Sequence, residues 1–259
     1  MLSGKTALIT GSTQGLGLAA AERFAHAGCN IVLNGFAAPG RIAAIQRTIE
    51  ERSSVRTFYS GADLRHPSEI EQMVNAAADH FGSIDILVNN AVVRHAAPVE
   101  EFPAVNWDEA MAVNLSAAFH TIRLTLPMMR RRNWGRILNV SSIYGVRGAA
   151  NRVGYVTTKT ALIGLTRAVA LETAGQNITC NAVCPGTART PVHEAGLREM
   201  TIHGMPDLDA ERALLAGKQP SGRLIPPEDV AALMVFLCGP ESDAMTGAVL
   251  PVDGGWSAT

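Results

Sequence analysis

Short, largely apolar runs alternate along the chain with longer amphipathic stretches. Thr6–Thr10, Asn30–Leu33, Val55–Ser60, Ile84–Val88, Arg136–Val140, Ile178–Val183 and Ala248–Val252 read as strands. Leu18–Ala27, Arg41–Arg52, Ser68–Phe81, Trp107–Leu126, Tyr155–Thr173 and Pro227–Leu237 read as helices; in Ser68–Phe81, Ile70, Met73, Val74 and Ala77 fall on one face. Apolar strands separated by helices predict a parallel sheet covered on both sides. The expected fold is α/β, a single-domain doubly wound parallel sheet of Rossmann-like type. Pro191–Ser221 breaks the rhythm with Gly196, Gly204, Pro206 and Gly217, and predicts a lid insertion near 190–220.

Composition narrows the function classes. A chain of 259 residues that is 47% hydrophobic suits one domain, 1–259, with a large core. Its net charge of −1 argues against nucleic acid or an anionic membrane surface as main partner. The basic run Arg130–Arg132 falls at an expected helix end, where cations suit the dipole. Cys29, Cys180, Cys184 and Cys238 form no C-x-x-C, which predicts reduced, intracellular thiols, with Cys180 and Cys184 buried around a strand. The seven histidines show no H-E-x-x-H or similar spacing, so no metal is expected. No apolar run reaches transmembrane length, and the N-terminus reads as a strand rather than a signal peptide. The expected location is cytoplasmic.

The candidate chemistry lies at the strand ends. Gly11, Gly15 and Gly17 stand between a strand and a helix, an arrangement that brings a pyrophosphate to backbone N–H groups at a helix N-terminus. The spacing G-x-x-x-G-x-G is one residue longer than the usual dinucleotide fingerprint. Around the second strand end stand Thr13, Gln14, Asn34, Gly35 and Phe36, with Arg41 the nearest cation and no acidic residue present. A 2′-phosphate needs a nearby cation, so NAD is expected rather than NADP. Tyr155 and Lys159 are four apart on a predicted helix and share one face, and Ser142 stands thirteen positions before Tyr155, just past a strand. An ammonium beside a phenol favours the phenolate, and such a group with a Ser hydroxyl can move a proton at a carbonyl–alcohol carbon.

These residues resemble the short-chain dehydrogenase/reductase family over essentially the whole chain. The resemblance is carried by Thr10-Gly11-Ser12-Thr13-Gln14-Gly15-Leu16-Gly17, Asp63, Asn89-Asn90-Ala91, Asn114, Ser142, Tyr155, Lys159 and Pro185-Gly186, in that order. Val92 stands where the family often has Gly. The resemblance implies Tyr155 as general acid/base, Lys159 as its partner and holder of the nicotinamide ribose, Ser142 on the reacting oxygen, and Asn114 on a water leading from Lys159. It implies a cofactor held by Gly11, Thr13, Gly15, Leu16, Gly17, Phe36, Leu64, Gly186 and Ala188, with Asp63 on the adenine and Asn90 on the ribose side.

Within that family, IVLNGF, GADL, NLSAAFH, ALETAGQ, KQPS and VDGGW resemble members that oxidise 3-hydroxybutyrate with NAD and assemble as tetramers. Those members carry Gln where this chain has Arg94, His at Tyr144, Lys at Arg152, Trp at Thr187 and Gln near Gly196. The expected substrate site therefore comprises Arg94, Ser142, Tyr144, Arg152 and Tyr155. Its Arg forks suit bidentate anion binding, and the expected substrate is a small anionic hydroxy acid, larger than hydroxybutyrate or bearing a stronger anion such as a sulfonate. The alternatives are an NADPH-dependent reductase of 3-oxoacyl thioesters, a neutral or sugar alcohol dehydrogenase, and a non-catalytic nucleotide-binding protein. The last is disfavoured because Ser142, Tyr155, Lys159 and Asn114 are all present.

Overall fold

The strands form where apolar residues can be buried on both faces at once: Ala7, Leu8 and Ile9 are fully buried, as are Ile31 and Val32. The computed structural model describes residues 2–259. Its strands are β1 (Thr6–Ile9), β2 (Asn30–Asn34), β3 (Thr57–Ser60), β4 (Ile86–Asn89), β5 (Gly135–Val140), β6 (Ile178–Pro185) and β7 (Val249–Val252). All pair in parallel in the order β3-β2-β1-β4-β5-β6-β7. The order reverses between β1 and β4, and in open sheets of this kind the ligand crevice opens above that point, at the strand C-termini.

The helices are α1 (Gly15–His26), α2 (Pro39–Ser53), α3 (Pro67–Phe81), α4 (Ala104–Met111), α5 (Ala117–Arg132), α6 (Val153–Thr173), α7 (Pro191–Ile202), α8 (Asp207–Leu215) and α9 (Pro227–Phe236). They build a core on each face of the sheet. Phe24 of α1 and Val230 and Met234 of α9 belong to one; Ile70 and Met73 of α3, Met129 of α5 and Val169 of α6 belong to the other.

The predicted helix Trp107–Leu126 is instead two helices joined by a five-residue π segment, Ala112–Ser116, and α5 runs on past Pro127 to Arg132. Full burial of Met129 holds that last turn although Pro127 lacks an N–H, and Asn133, at φ 48°, ends it. The aperiodic stretch after Pro191 contains two helices, α7 and α8, and α7 buries no residue. The four cysteines are buried free thiols, Cys180 and Cys184 on β6.

Two buried polar features cross the sheet. Asn89 donates to Asn139 Oδ1 at 2.9 Å, Thr121 donates to Asn89 Oδ1 at 2.7 Å, and Asn139 donates to Thr166 Oγ1 at 2.9 Å, tying α5 and α6 to β4 and β5. Arg136, 1% exposed, pairs with Asp243, donates to Gly135 O at 2.8 Å and Asn177 O at 3.1 Å, and packs 4.5 Å from the Trp134 ring centre. Among the described residues no helix is long and apolar enough to cross a membrane.

Candidate active site

The glycine turn is built by close approach. Helix α1 begins within the turn itself, and a Cβ on Gly17 would lie 2.2 Å from Gly11 O and 2.5 Å from Asn90 Nδ2. Only a residue without a side chain lets α1 approach the end of β1 this closely. Asn90 braces the same turn, donating to Thr10 O at 2.9 Å and Gly11 O at 3.0 Å, while Thr10 Oγ1 accepts the N–H groups of Asn90 and Ala91. Asn90 lines the cleft, but its amide hydrogens serve the protein rather than a ribose.

That cleft has a volume of about 690 Å³ and runs from Phe36, Asp63 and Leu64 past the turn to Ser142, Tyr155 and Lys159. Gly11, Thr13, Gly15, Leu16, Gly17, Gly186, Ala188 and Arg94 line it as well. Tyr144, Arg152 and Asn114 do not. Asp63 is gripped by Arg65, whose Nε lies 2.9 Å from Oδ2, and this pairing holds the Asp63 carboxyl below the usual range. Asn34 at the end of β2 is committed inward, its amide donating to Ser60 O and Ala62 O. Arg41 turns back onto Thr13 O at 3.4 Å, outside the cleft wall.

Ser142 opens a short 3₁₀ turn, Ile143–Gly145, and its Oγ accepts the Tyr144 N–H at 3.2 Å. The turn is pressed onto α6: Ser141 donates to Lys159 O at 2.7 Å, and a Cβ on Gly145 would meet Ser141 Oγ at 2.3 Å. Ser142 is thereby set beside the helix that carries Tyr155 and Lys159. Lys159 is 2% exposed and donates to Val140 O at 2.7 Å. Burial, reinforced by the positive field of Arg94, pushes its ammonium down to about 7. The Lys159 Nζ lies 5.8 Å and the Arg94 Cζ 5.6 Å from the centre of the Tyr155 ring.

Asn114 sits in the π segment, where backbone carbonyls lose their regular helix partners. Its carboxamide clasps Val93, accepting the Val93 N–H at 2.8 Å and donating to Val93 O at 3.0 Å, and also approaches Thr158 Oγ1 at 3.3 Å. The side chain thus fixes the loop after β4, and its amide groups are committed to Val93 and Thr158. Tyr144 stands behind Tyr155, ring centres 6.3 Å apart, and packs on Trp256 at 5.2 Å. Burial raises the Tyr144 hydroxyl pKa while the charge of Arg152 opposes the rise. Neither Arg94 nor Arg152 has an ion-pair partner among the described residues, and Glu100 and Glu101, nearby in sequence to Arg94, pair with neither.

Of the titratable side chains that line the cleft, three escaped sequence reasoning: Arg65, Glu109 and His193. Arg65 follows Asp63 directly and could have been noticed as its partner. His193 lies in the aperiodic stretch, where no pattern signalled its direction.

A cleft at the switch point of a parallel sheet, ending at a Ser, a Tyr and a buried Lys, fits an oxidoreductase. The chain belongs to the short-chain dehydrogenase/reductase family. Residues 11–257 match the family model described as enoyl-(acyl carrier protein) reductase. The chain is 43% identical over 259 residues to a D-beta-hydroxybutyrate dehydrogenase of Cupriavidus necator, covering 100% of each. It is 42% identical over 255 residues to another from Rhizobium meliloti, covering 98% of this chain and 99% of that one. Among solved structures, L-sorbose reductase from Gluconobacter frateurii, complexed with NADPH and L-sorbose, superposes with a TM-score of 0.93 at 32% identity, covering 100% of this chain and 98% of that one.

Proposed function

We propose that this protein interconverts a small anionic hydroxy acid and its keto acid with NAD. The observation that carries the reading is the convergence of Ser142, Tyr155 and Lys159 at one end of the cleft, with the unpaired Arg94 beside the Tyr155 ring. The names of the two D-beta-hydroxybutyrate dehydrogenases support the substrate class.

The cleft fits a dinucleotide: a Cβ would fill the approach at Gly17, and Gly11, Thr13, Gly15 and Leu16 surround the place where backbone N–H groups would meet a pyrophosphate. Phe36, Asp63 and Leu64 would take the adenosine end, Gly186 and Ala188 the nicotinamide end, and Lys159 a ribose. When bound, the nicotinamide supplies the acceptor or donor of the hydride. Ser142 Oγ would hydrogen-bond the reacting oxygen, and the Tyr155 hydroxyl would exchange the proton with it. Lys159, as its ammonium, would place positive charge beside the Tyr155 oxygen and pass the proton on toward solvent past the π segment at Asn114. Arg94 would hold the carboxylate. Arg152 and Tyr144 would act from behind Tyr155, shaping the pocket and its field.

NAD is favoured over NADP because, among the described residues, no free cation lines the cleft beside Thr13 and Phe36: Arg41 faces Thr13 O and Arg65 holds Asp63. The reading includes Pro191–Ser221 as a lid, since α7 buries no residue, and a homotetramer, since Phe119 and Leu171 on α5 and α6 are exposed.

The test is NADH formation from D-3-hydroxybutyrate and NAD, beside NADP, other hydroxy acids and neutral alcohols. Turnover of acids with NAD is expected. Turnover of neutral alcohols alone, or only with NADP, would refute the reading.

A further inference from the structure

The same pocket says more about the substrate, on the assumption that the hydroxy-acid reading holds. His193 faces the cleft from α7, half-buried, with Nδ1 2.8 Å from Ala188 O and 3.1 Å from Thr190 Oγ1. A carbonyl oxygen can only accept, so Nδ1 carries the proton in either charge state. The neutral ring therefore leaves Nε2 bare, and Nε2 has no hydrogen-bond partner within the described residues. Burial and the positive fields of Arg94 and Lys218 favour that neutral form, against the Ala188 carbonyl.

Arg94 offers donors only, whereas His193 Nε2 offers an acceptor only. Together they match a ligand with an anion and, near it, a hydroxyl hydrogen to give. A mono-hydroxy acid such as 3-hydroxybutyrate has one hydroxyl, already claimed by Tyr155 and Ser142, and nothing left for His193. We infer that the preferred substrate is a hydroxy acid bearing a second hydroxyl, a dihydroxy or polyhydroxy (aldonic) acid, and that His193 selects it by accepting a hydrogen bond from that hydroxyl. A site built to pair with a substrate hydroxyl discriminates against the analogue that lacks it, because its own polar group is left unpaired. With His193 only half-buried, the discrimination should be on the order of tenfold.

The experiment compares kcat/KM for 3-hydroxybutyrate and 3,4-dihydroxybutyrate with NAD in the wild type, His193→Val and His193→Gln. The wild type is expected to prefer the dihydroxy acid about tenfold, mainly through KM. His193→Val should bring the ratio toward one, and His193→Gln, which keeps an acceptor oxygen, should retain part of the preference. Equal use of the two acids by the wild type, or a preference that survives His193→Val, overturns the inference and leaves the hydroxy-acid reading standing. No turnover of either acid, with activity on neutral alcohols, overturns both.

Discussion

Burying Lys159 should make the fold more stable as pH rises, and the substitution Lys159→Met should remove that dependence. The ammonium titrates at about 7 in the fold against 10.5 in the open chain. A gap of about 3.5 corresponds to roughly 5 kcal/mol at about 1.36 kcal/mol for each pH unit, an upper bound once water entry and relaxation are allowed for. Because the folded value is the lower one, the unfolded chain binds more protons between pH 7 and 10.5. Stability therefore climbs across that window and is level below pH 7, where both states are protonated. Buried thiols act in the opposite direction at the upper end. Burial pushes Cys29 and Cys180 up to about 12, so the unfolded chain loses their protons first. The wild-type-minus-variant difference cancels this contribution. Urea unfolding at pH 7, 8 and 9, at fixed protein concentration and without nucleotide, should show the Met variant's advantage shrinking by about 1 kcal/mol per pH unit. Parallel pH profiles for the two proteins would refute the reasoning.

Gly17→Ala should weaken NAD binding at least tenfold and destabilise the fold by about 1–3 kcal/mol, because the new Cβ meets Gly11 O at 2.2 Å; a fluorescence titration matching wild type would count against the close approach. Arg94→Ala should raise KM for an acid about 10- to 100-fold, with a much smaller change for a neutral ketone. Arg152→Ala should show a weaker split, since Arg152 lies outside the cleft wall; the reverse ranking in steady-state kinetics would place the anion grip at 152. Asp243→Ala strands the buried Arg136 guanidinium, although its carbonyl partners remain, and should destabilise by about 1–3 kcal/mol in denaturant unfolding, leaving KM for NAD unchanged.

The architecture was readable because both-face burial leaves a plain mark: β1, β2 and β4 carry the unbroken apolar runs Ala7–Ile9, Ile31–Leu33 and Ile86–Val88, each with Gly or Asn within two residues of its end. Tyr155 and Lys159 were readable because a helix fixes what lies four residues apart. The π segment was not, since Ala112–Ser116 has ordinary helical composition and its extra residue is set by Asn114 clasping Val93, a contact 21 positions away. Nor were α7 and α8, because Gly196, Gly204 and Pro206 interrupt the stretch and α7 buries no residue to mark its inner face. The roles of Arg94 and Arg152 looked equivalent in the sequence, because a side chain's direction depends on neighbours that no local pattern encodes. His193 was missed for the same reason.

The amide chain from Thr121 through Asn89 and Asn139 to Thr166 has a consequence for misfolding. Its central hydrogen bond, from Asn89 to Asn139, needs β4 and β5 in the pairing Asn89↔Asn139. An apolar sheet of Val, Leu and Ile tolerates many compact arrangements of similar hydrophobic energy. A shift of one residue along β5 would turn Asn139 to the opposite face and strand amide and hydroxyl groups away from water. The chain thus penalises competing collapsed states far more than it adds to the native one. Replacing both asparagines by apolar residues should leave equilibrium stability little changed while raising the yield of aggregated, mispaired species on refolding.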